Sequence, residues 1–322
     1  MRVSIIATVK NEAETIEDLL NSILSQSYLP DEVIIVDGGS RDRTVEILDS
    51  YKRLFKKFGI RYEVIIENNV NISKGRNIAI KHANSEIIVS VDGGCILHED
   101  FIRNIVTPLI ENSQIDVVGG RYEALIQSRW DEVIAELTIP HPRRILRKPE
   151  SFLPSARAIA FRKKCWELVG GFPEWLYTGE DTVFDIMLKK AGCKFLILPN
   201  AVVYWRLRKN LKELFRQYFK YAEGDGQARI FQFKYLLTSY LPIFVGLVLI
   251  TLSFLLSPSF LALLLVGILL YPIIRTIYNG GNAFKVVKNL DIAIPASIIL
   301  ILAATLGYSW GTIKSKIGGI TK

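Results

Sequence analysis

The chain has 322 residues, half of them apolar, with a positive mean hydropathy and a formal charge of +8. That length accommodates one sizeable domain and an appendage, and apolar residues concentrated from Leu236 onward argue against a wholly soluble protein. No stripe of basic residues interleaved with aromatics marks a nucleic-acid surface, so the basic excess reads as attraction to anionic lipid headgroups and phosphorylated substrates.

From the first residues, Val3–Val9, Glu32–Val36, Tyr62–Ile66 and Ile87–Val91 are Val/Ile-rich runs that end in polar or glycine-bearing loops. Between them, Glu14–Ser25, Arg43–Phe58 and Gly75–Ala83 carry apolar residues at helical spacing. This alternation predicts βαβ units and a parallel, nucleotide-binding half-sheet. Arg2 to Val9 is too short for a signal peptide and runs into Lys10-Asn11-Glu12, so the N-terminal domain is expected in the cytoplasm. Cys95, Cys165 and Cys193 are odd in number and form no Cys-x-x-Cys pair, which points to free thiols rather than zinc or a disulfide framework.

The next stretch is mixed. Asp116–Val118, Arg157–Phe161, Phe195–Leu198 and Val202–Tyr204 read as strands around helices at Lys164–Val169 and Thr182–Ala191. Pro140-His141-Pro142 with Arg143, Arg144, Arg147 and Lys148 is a basic loop, either a solvated connection or a contact for an anionic substrate. Leu211 to Phe233 alternates aromatic and basic residues and reads as a helix lying on a membrane, or packed on the sheet.

Three apolar stretches follow, Leu236–Leu256, Ser259–Tyr278 and about Leu290–Trp310, each approaching the length that crosses a bilayer. Ser257-Pro258 makes the first two a helical hairpin, and Tyr235, Tyr240, Tyr271, Tyr278, Tyr308 and Trp310 lie near the ends, as aromatic belts do. Lys285 and Lys288 suit a cytoplasmic loop. Three spans then put Lys314, Lys316 and Lys322 outside, against the positive-inside rule, and three spans are nevertheless the expectation.

The densest cluster of motifs is Ser4 to Glu12, Val36-Asp37-Gly38-Gly39-Ser40-Arg41-Asp42-Arg43-Thr44, Lys74-Gly75-Arg76-Asn77, Asp92-Gly93-Gly94, Gly179-Glu180-Asp181 and Arg216 to Tyr221. In this order and spacing they resemble the family 2 glycosyltransferases, membrane-anchored enzymes of the GT-A fold, over roughly residues 1–225. The resemblance implies an α/β, Rossmann-like catalytic domain over 1–210, amphipathic interfacial helices over 211–234 and transmembrane helices over 235–322.

It also implies roles. Thr8, Val9, Lys10, Asn11 and Glu12 would border the nucleotide. Asp37 would hydrogen-bond the base, although without the family an aspartate before two glycines is a turn residue. Lys74, Arg76, Asp92 and Gly93 would face the diphosphate, with Arg76 either holding its oxygens or pinning Asp92. Asp92 matches the first acid of the family's DxD motif, which carries Mg²⁺ or Mn²⁺. The third position here is Gly94, which puts metal dependence in question, though a hard cation can be held by one carboxylate with phosphates and waters.

Asp181, beginning a helix with Glu180, would be the base for the acceptor hydroxyl in a single displacement with inversion; the bland alternative is a helix cap. Arg157, Arg162, Arg206, Gln217 and Lys220 would serve the acceptor or share the charge of the leaving group. Processive members carry Gln-x-x-Arg-Trp where this chain has Gln217-x-x-Lys220-Tyr221, so transfer of a single sugar from a UDP- or GDP-sugar to a lipid-linked acceptor is the leading expectation. A processive polysaccharide synthase and a non-catalytic sugar-nucleotide sensor are the alternatives.

Overall fold

The computed structural model describes residues 1–317; Lys322, expected in a basic tail, lies outside the described residues. Two compact units emerge. The first comprises Met1–Glu123 with Ile145–Arg206, and the second comprises Ala124–Arg144 with the chain from Leu207 onward.

The first unit is built on one eight-stranded sheet: β1 Val3–Val9, β2 Glu32–Asp37, β3 Arg61–Ile66, β4 Ile87–Asp92, β5 Cys95–Leu97, β6 Val117–Ala124, β7 Ile159–Arg162 and β8 Phe195–Trp205. Their spatial order is β3-β2-β1-β4-β7-β6-β8-β5. β1 runs parallel to β2 and β4, and β2 to β3, as the alternating pattern predicts. β7 then runs antiparallel to both β4 and β6. β1 and β2 are buried along almost their whole length, which is why they read as unbroken apolar runs.

Differences from the expected elements are local. The Phe195–Leu198 and Val202–Tyr204 pieces fuse into one strand, β8. The helix expected over Arg43–Phe58 divides into Thr44–Ser50 and Lys52–Lys57, where the Tyr51 N–H donates to the Leu48 carbonyl three residues back and tightens the turn. β5 is too short to carry a periodic signal.

Register fixes what meets at the carboxyl edge of the parallel strands. Val9 lies opposite Asp37 and Thr8 opposite Asp92, so three separated motifs arrive together. The helix Ile72–His82, capped by the Asn71 side chain accepting from the Lys74 N–H, packs beside them. A Cβ at Gly75 would sit inside contact distance of the Thr8 methyl, so glycine is what lets this helix approach β1.

In the second unit, helix Arg129–Thr138 starts at a Ser128 cap, and helix Leu211–Gln227 at an Asn210 cap. Three helices, Gln232–Leu255, Ser259–Tyr278 and Leu290–Ile317, are long and apolar enough to cross a membrane. Phe244, Phe254 and Leu255 of the first are largely exposed, as lipid-facing side chains would be. The third is the most buried, because Leu211–Gln227 lies against it rather than on the sheet. Backbone meets backbone there: a Cβ at Gly307 or Gly311 would strike the Phe219 or Glu223 carbonyl, and one at Gly226 the Tyr308 carbonyl. Lys314 pairs with Glu223, so its charge is not part of a free basic tail.

Gly75→Ala tests the close approach in the first unit. It is expected to destabilise the protein by about 1–3 kcal/mol through overpacking against Thr8. A thermal melt of the purified chain checks this; an unchanged midpoint would mean that the helix can step back at no cost.

Candidate active site

At the carboxyl edge, the loops after β1 and β2 are sewn together by short polar bonds. The Asn11 N–H donates to Ser40 Oγ at 2.7 Å, the Arg41 N–H to Asn11 Oδ1 at 2.8 Å and the Glu12 N–H to Thr44 Oγ1 at 2.8 Å. Asn11 takes a positive φ of 55°, which asparagine tolerates better than most residues. Asp37 is fully buried, and its Oδ1 accepts from the Gly39 and Ser40 N–H groups at 2.9 and 2.8 Å. Its geometry is therefore that of a turn residue holding the loop. Lys10 is exposed, and Lys74, exposed in the first helical turn, lies 3.9 Å from the Glu67 carboxylate.

The centre is an ionic chain around Arg76, which is 2 % exposed. Its Nη1 donates to Glu180 Oε1 at 2.6 Å and its Nη2 to Asp92 Oδ1 at 2.7 Å. Asp92 Oδ2 faces Arg157 Nε at 3.3 Å. The Arg157 guanidinium in turn lies over the rings of Tyr122 and Trp205, with centroids at 4.6 and 4.2 Å. Arg76 thus bridges Asp92 and Glu180.

These contacts set the protonation states. Burial alone would raise the Asp92 carboxyl, but Arg76 and Arg157 reverse it and hold the group below its ordinary range. Burial, and then the neighbouring Asp181, push Glu180 up to about 7 despite Arg76. Asp185, one turn beyond Asp181, is fully buried, and burial followed by Asp181 raises it well above the carboxylate range. Cys95 is buried too, and burial, then Asp92, lift its thiol to about 12, which removes it as a nucleophile near neutral pH.

Asp181 opens the helix Glu180–Lys190 behind Gly179, whose φ of 75° makes the sharp entry turn. Asp181 Oδ1 accepts from its neighbour's Thr182 N–H at 2.8 Å. Oδ2 is held only loosely, by Ser155 Oγ at 3.3 Å and the Ala156 N–H at 3.2 Å. It faces the loop that precedes Arg157.

Of the expected acceptor residues, Arg162 is placed away from Asp92. Arg162 lies opposite Ile87 at the start of β4, five residues from Asp92, or about 17 Å along the strand. It donates to the Leu109, Asn112 and Ile115 carbonyls, closing the end of helix Phe101–Glu111. Flanking one antiparallel strand sends Arg157 and Arg162 to opposite edges. Arg206 pairs with Asp18. Gln217 donates to Tyr221 Oη and Lys220 to Glu223, both within their own helix of the second unit. The Tyr122–Trp205 clamp on Arg157 was not foreseen, because it joins β6 to the end of β8, far apart in sequence. Asp185 carries a signal in the sequence, its i+4 spacing from Asp181.

A divalent ion is implied by the family resemblance, and the donors present suit one. A Cβ on Gly93 would meet Glu12 Cγ at 3.4 Å, and one on Gly94 would lie 3.6 Å from Glu12 Oε2. The Glu12 carboxylate thus borders the position where the motif lacks its second acid, and Asp92 keeps further lone pairs beyond its arginine contacts. Among the described residues no three acidic, histidine or cysteine side chains gather as a ready metal site. Such an ion would be held chiefly by the substrate's diphosphate, with Asp92 and Glu12 as protein donors, as magnesium-type sites are.

Comparison with known proteins agrees with this architecture. The model of glycosyl transferase family 2 matches residues 4–169. Glycosyltransferase AglE of Haloferax volcanii is 27% identical over 242 residues, covering 70% of this chain and 73% of that one. The poly-beta-1,6-N-acetyl-D-glucosamine synthase of Staphylococcus epidermidis is 24% identical over 236 residues; the match covers 72% of this chain but only 56% of the synthase. Among solved structures, the mannosyltransferase PcManGT of Pyrobaculum calidifontis, in complex with GDP-Man and Mn²⁺, has a TM-score of 0.58 at 18% identity, over 98% of this chain and 87% of that one. The first unit has the GT-A fold.

The raised Glu180 carboxyl predicts a pH signature. An acid whose folded pKa exceeds its unfolded value stabilises the fold below pH 4.5, and that contribution is lost as pH rises toward 7. The loss is on the order of 3 kcal/mol. The melting temperature of the wild type should therefore fall between pH 5 and pH 7 more steeply than that of Glu180→Gln. Parallel curves for the two proteins would remove Glu180 as the titrating group.

Proposed function

The chain belongs to glycosyl transferase family 2, and from that premise we propose that it moves one sugar, with inversion, from a UDP- or GDP-sugar to a lipid-linked acceptor at the cytoplasmic face of a membrane. Glycosyl transfer from a nucleotide sugar is the family's activity; the acceptor, the single addition and the side of the membrane are our reading. The observation that carries it is the loosely held Asp181 Oδ2 at a helix N-terminus beside the Arg76–Asp92–Arg157 chain. The three apolar helices support a lipid acceptor, and Lys285 and Lys288 between the second and third support the side.

In the proposed reaction Asp181 accepts the proton of the acceptor hydroxyl as its oxygen attacks C1 of the sugar. The C1–oxygen bond to the diphosphate breaks, and its electron pair leaves with the nucleoside diphosphate. For an acceptor that is already an ionised phosphate, Asp181 positions the nucleophile instead. A bound divalent ion would neutralise charge growing on the leaving diphosphate. Thr8 to Glu12 and the Asp37 loop form the wall for the nucleotide, with Gly93 allowing close approach. Lys74 and Arg206 lie within the same unit as further cations for the diphosphate. Glu180 orients Arg76 and is a positioning residue.

The likeness to a poly-N-acetylglucosamine synthase supports a second reading, processive synthesis. Product length separates the two, since a processive enzyme makes long chains from one acceptor.

Asp181→Asn should lower kcat on the order of 100-fold or more with a hydroxyl acceptor while leaving the donor KM within a few-fold. Label from a panel of UDP- and GDP-sugars, followed into the organic-extractable fraction of native membranes, measures this. Unchanged turnover would show that the base lies elsewhere. In the same assay, EDTA should cut transfer by about tenfold or more and added Mn²⁺ or Mg²⁺ restore it; full activity in EDTA would exclude the ion.

A further inference from the structure

Several cations of the second unit have no carboxylate bonded to them among the described residues, and three of these, Arg144, Lys234 and Arg275, lie near enough together that the charges of the two arginines act on the lysine. Elsewhere in that unit Arg129, Lys285 and Lys314 all have acidic partners: Asp291, Glu132 with Glu136, and Glu223. Arg144, Lys234 and Arg275 form no ion pair among the described residues, although the charges of Arg144 and Arg275, together with that of Asp225, act on Lys234.

A continuous set of bonds holds the two guanidinium groups in place and runs on to the Lys234 backbone. Arg144 Nη1 donates to Asn279 Oδ1 at 2.6 Å, and its guanidinium lies 4.2 Å over the Tyr278 ring. Asn279 Nδ2 and Arg275 Nε both donate to the Leu137 carbonyl, each at 2.9 Å. Arg275 Nη1 reaches Tyr271 Oη at 3.3 Å, and that hydroxyl donates to the Thr238 carbonyl at 3.3 Å. Thr238 is one turn beyond Lys234 and donates from its Oγ1 to the Lys234 carbonyl at 2.8 Å. The Lys234 ammonium lies 5.0 Å from the Phe231 ring centre and 5.5 Å from that of Tyr235, crowded by neighbouring groups.

The position is specific. Lys234 is near the start of the apolar helix Gln232–Leu255, and Arg275 is in the last turn of the apolar helix Ser259–Tyr278. Tyr271 and Tyr278 mark the girdle where a bilayer meets water. Below the cations, Leu237, Leu241 and Ile274 are exposed apolar side chains. Each guanidinium is fixed through one or two of its N–H groups and has others to spare, and the ammonium offers three donors. Surplus positive charge above exposed apolar helix faces recognises an amphiphile with a compact, highly charged head.

We propose that Arg144, Lys234 and Arg275 bind the terminal phosphate of a long-chain lipid, a monoester whose apolar chain runs along the two helices. This rests on the lipid-acceptor reading above for the identity of its ligand, and it places that acceptor's headgroup on residues other than Arg162, Gln217 and Lys220. A terminal monoester carries more charge and more free oxygens than the phosphodiester of an ordinary phospholipid, which is why three cations select it.

The test uses the full chain in phosphatidylcholine nanodiscs, with geranylgeranyl phosphate as the titrated probe. Saturable binding is expected, weakened about tenfold or more in Arg275→Gln and in Lys234→Gln and unchanged in Arg53→Gln, a control on the exposed face of the first unit. Lys234→Gln is the safer variant, since the ammonium lies against the Phe231 and Tyr235 rings and the bonds that fix Arg144 and Arg275 do not run through it. No saturable binding, affinity unaffected by Lys234→Gln, or equal competition by phosphatidylglycerol would each overturn the proposal. Sugar transfer measured on the same samples separates the two readings. Binding that needs these residues, without transfer, keeps the site and removes the acceptor role. Transfer to lipid that is indifferent to these residues keeps the acceptor and removes the site.

Discussion

The structure of the catalytic unit turns on one buried guanidinium. Arg76 is almost wholly out of water, and an unpaired charge there would cost several kcal/mol. Its two carboxylate partners come from the end of β4 and the start of the Glu180–Lys190 helix. A single side chain therefore joins its own helix to the end of β4 and to a helix 104 residues further on. Asp92 is aimed by it directly, and Asp181 indirectly, through the helix that Glu180 begins. Arg157, clamped between two aromatic rings, closes the far side of Asp92. The chain's own residues thus orient the site's carboxylates through direct contacts, as catalytic constellations need.

The apolar unit is built on a different principle. With lipid around a helix, burial of apolar surface gives little reason for one helix to prefer another, so close backbone packing at small residues takes over. Gly307, Gly311 and Gly226 supply it between the 211–227 and 290–317 helices. Glu223, buried beside that seam, is balanced by Lys220 and Lys314. The amphipathic 211–227 segment is therefore held by a helix of its own unit.

What the sequence revealed and what it hid follow from the range of the interactions. β1 to β4 and their helices were legible because buried parallel strands impose unbroken apolar runs, and because glycines and capping residues mark the turns. Asp92, Asp181 and Arg76 were legible as a set only through the order of their motifs. The pairing of Arg76 with Glu180 spans 104 residues, and no local pattern encodes it. Arg162 shows the limit most clearly. Being five residues from Arg157 suggested a shared site, and strand direction put the two at opposite edges. Similarly, residues 124–144 carry no composition break that assigns them to the second unit; only the tertiary contacts of Arg129, Leu137 and Arg144 do.

Charge accounting then separates the two units by what each can receive. In the catalytic unit Arg76 faces Asp92 and Glu180 and Arg157 faces Asp92, with Asp181 acting on Arg76 from beside them and Glu180, near 7, able to hold a proton. With the Glu12 carboxylate at its margin, that cluster has no positive charge to spare. A sugar nucleotide brings a diphosphate whose negative charge grows as the bond to C1 breaks, and such a cluster cannot answer it. Positive charge has to come with the donor or from Lys74 and Arg206 at the margin, which is why the loss of the second acid at Gly94 does not by itself abolish a role for a cation. The group formed by Arg144, Lys234 and Arg275 stands in the opposite state, with cations in excess and one acid, Asp225, in reach. A cluster with no positive charge to spare suits a ligand that arrives with its own counter-ion, whereas one with cations in excess suits an anion whose counter-charge the protein must provide.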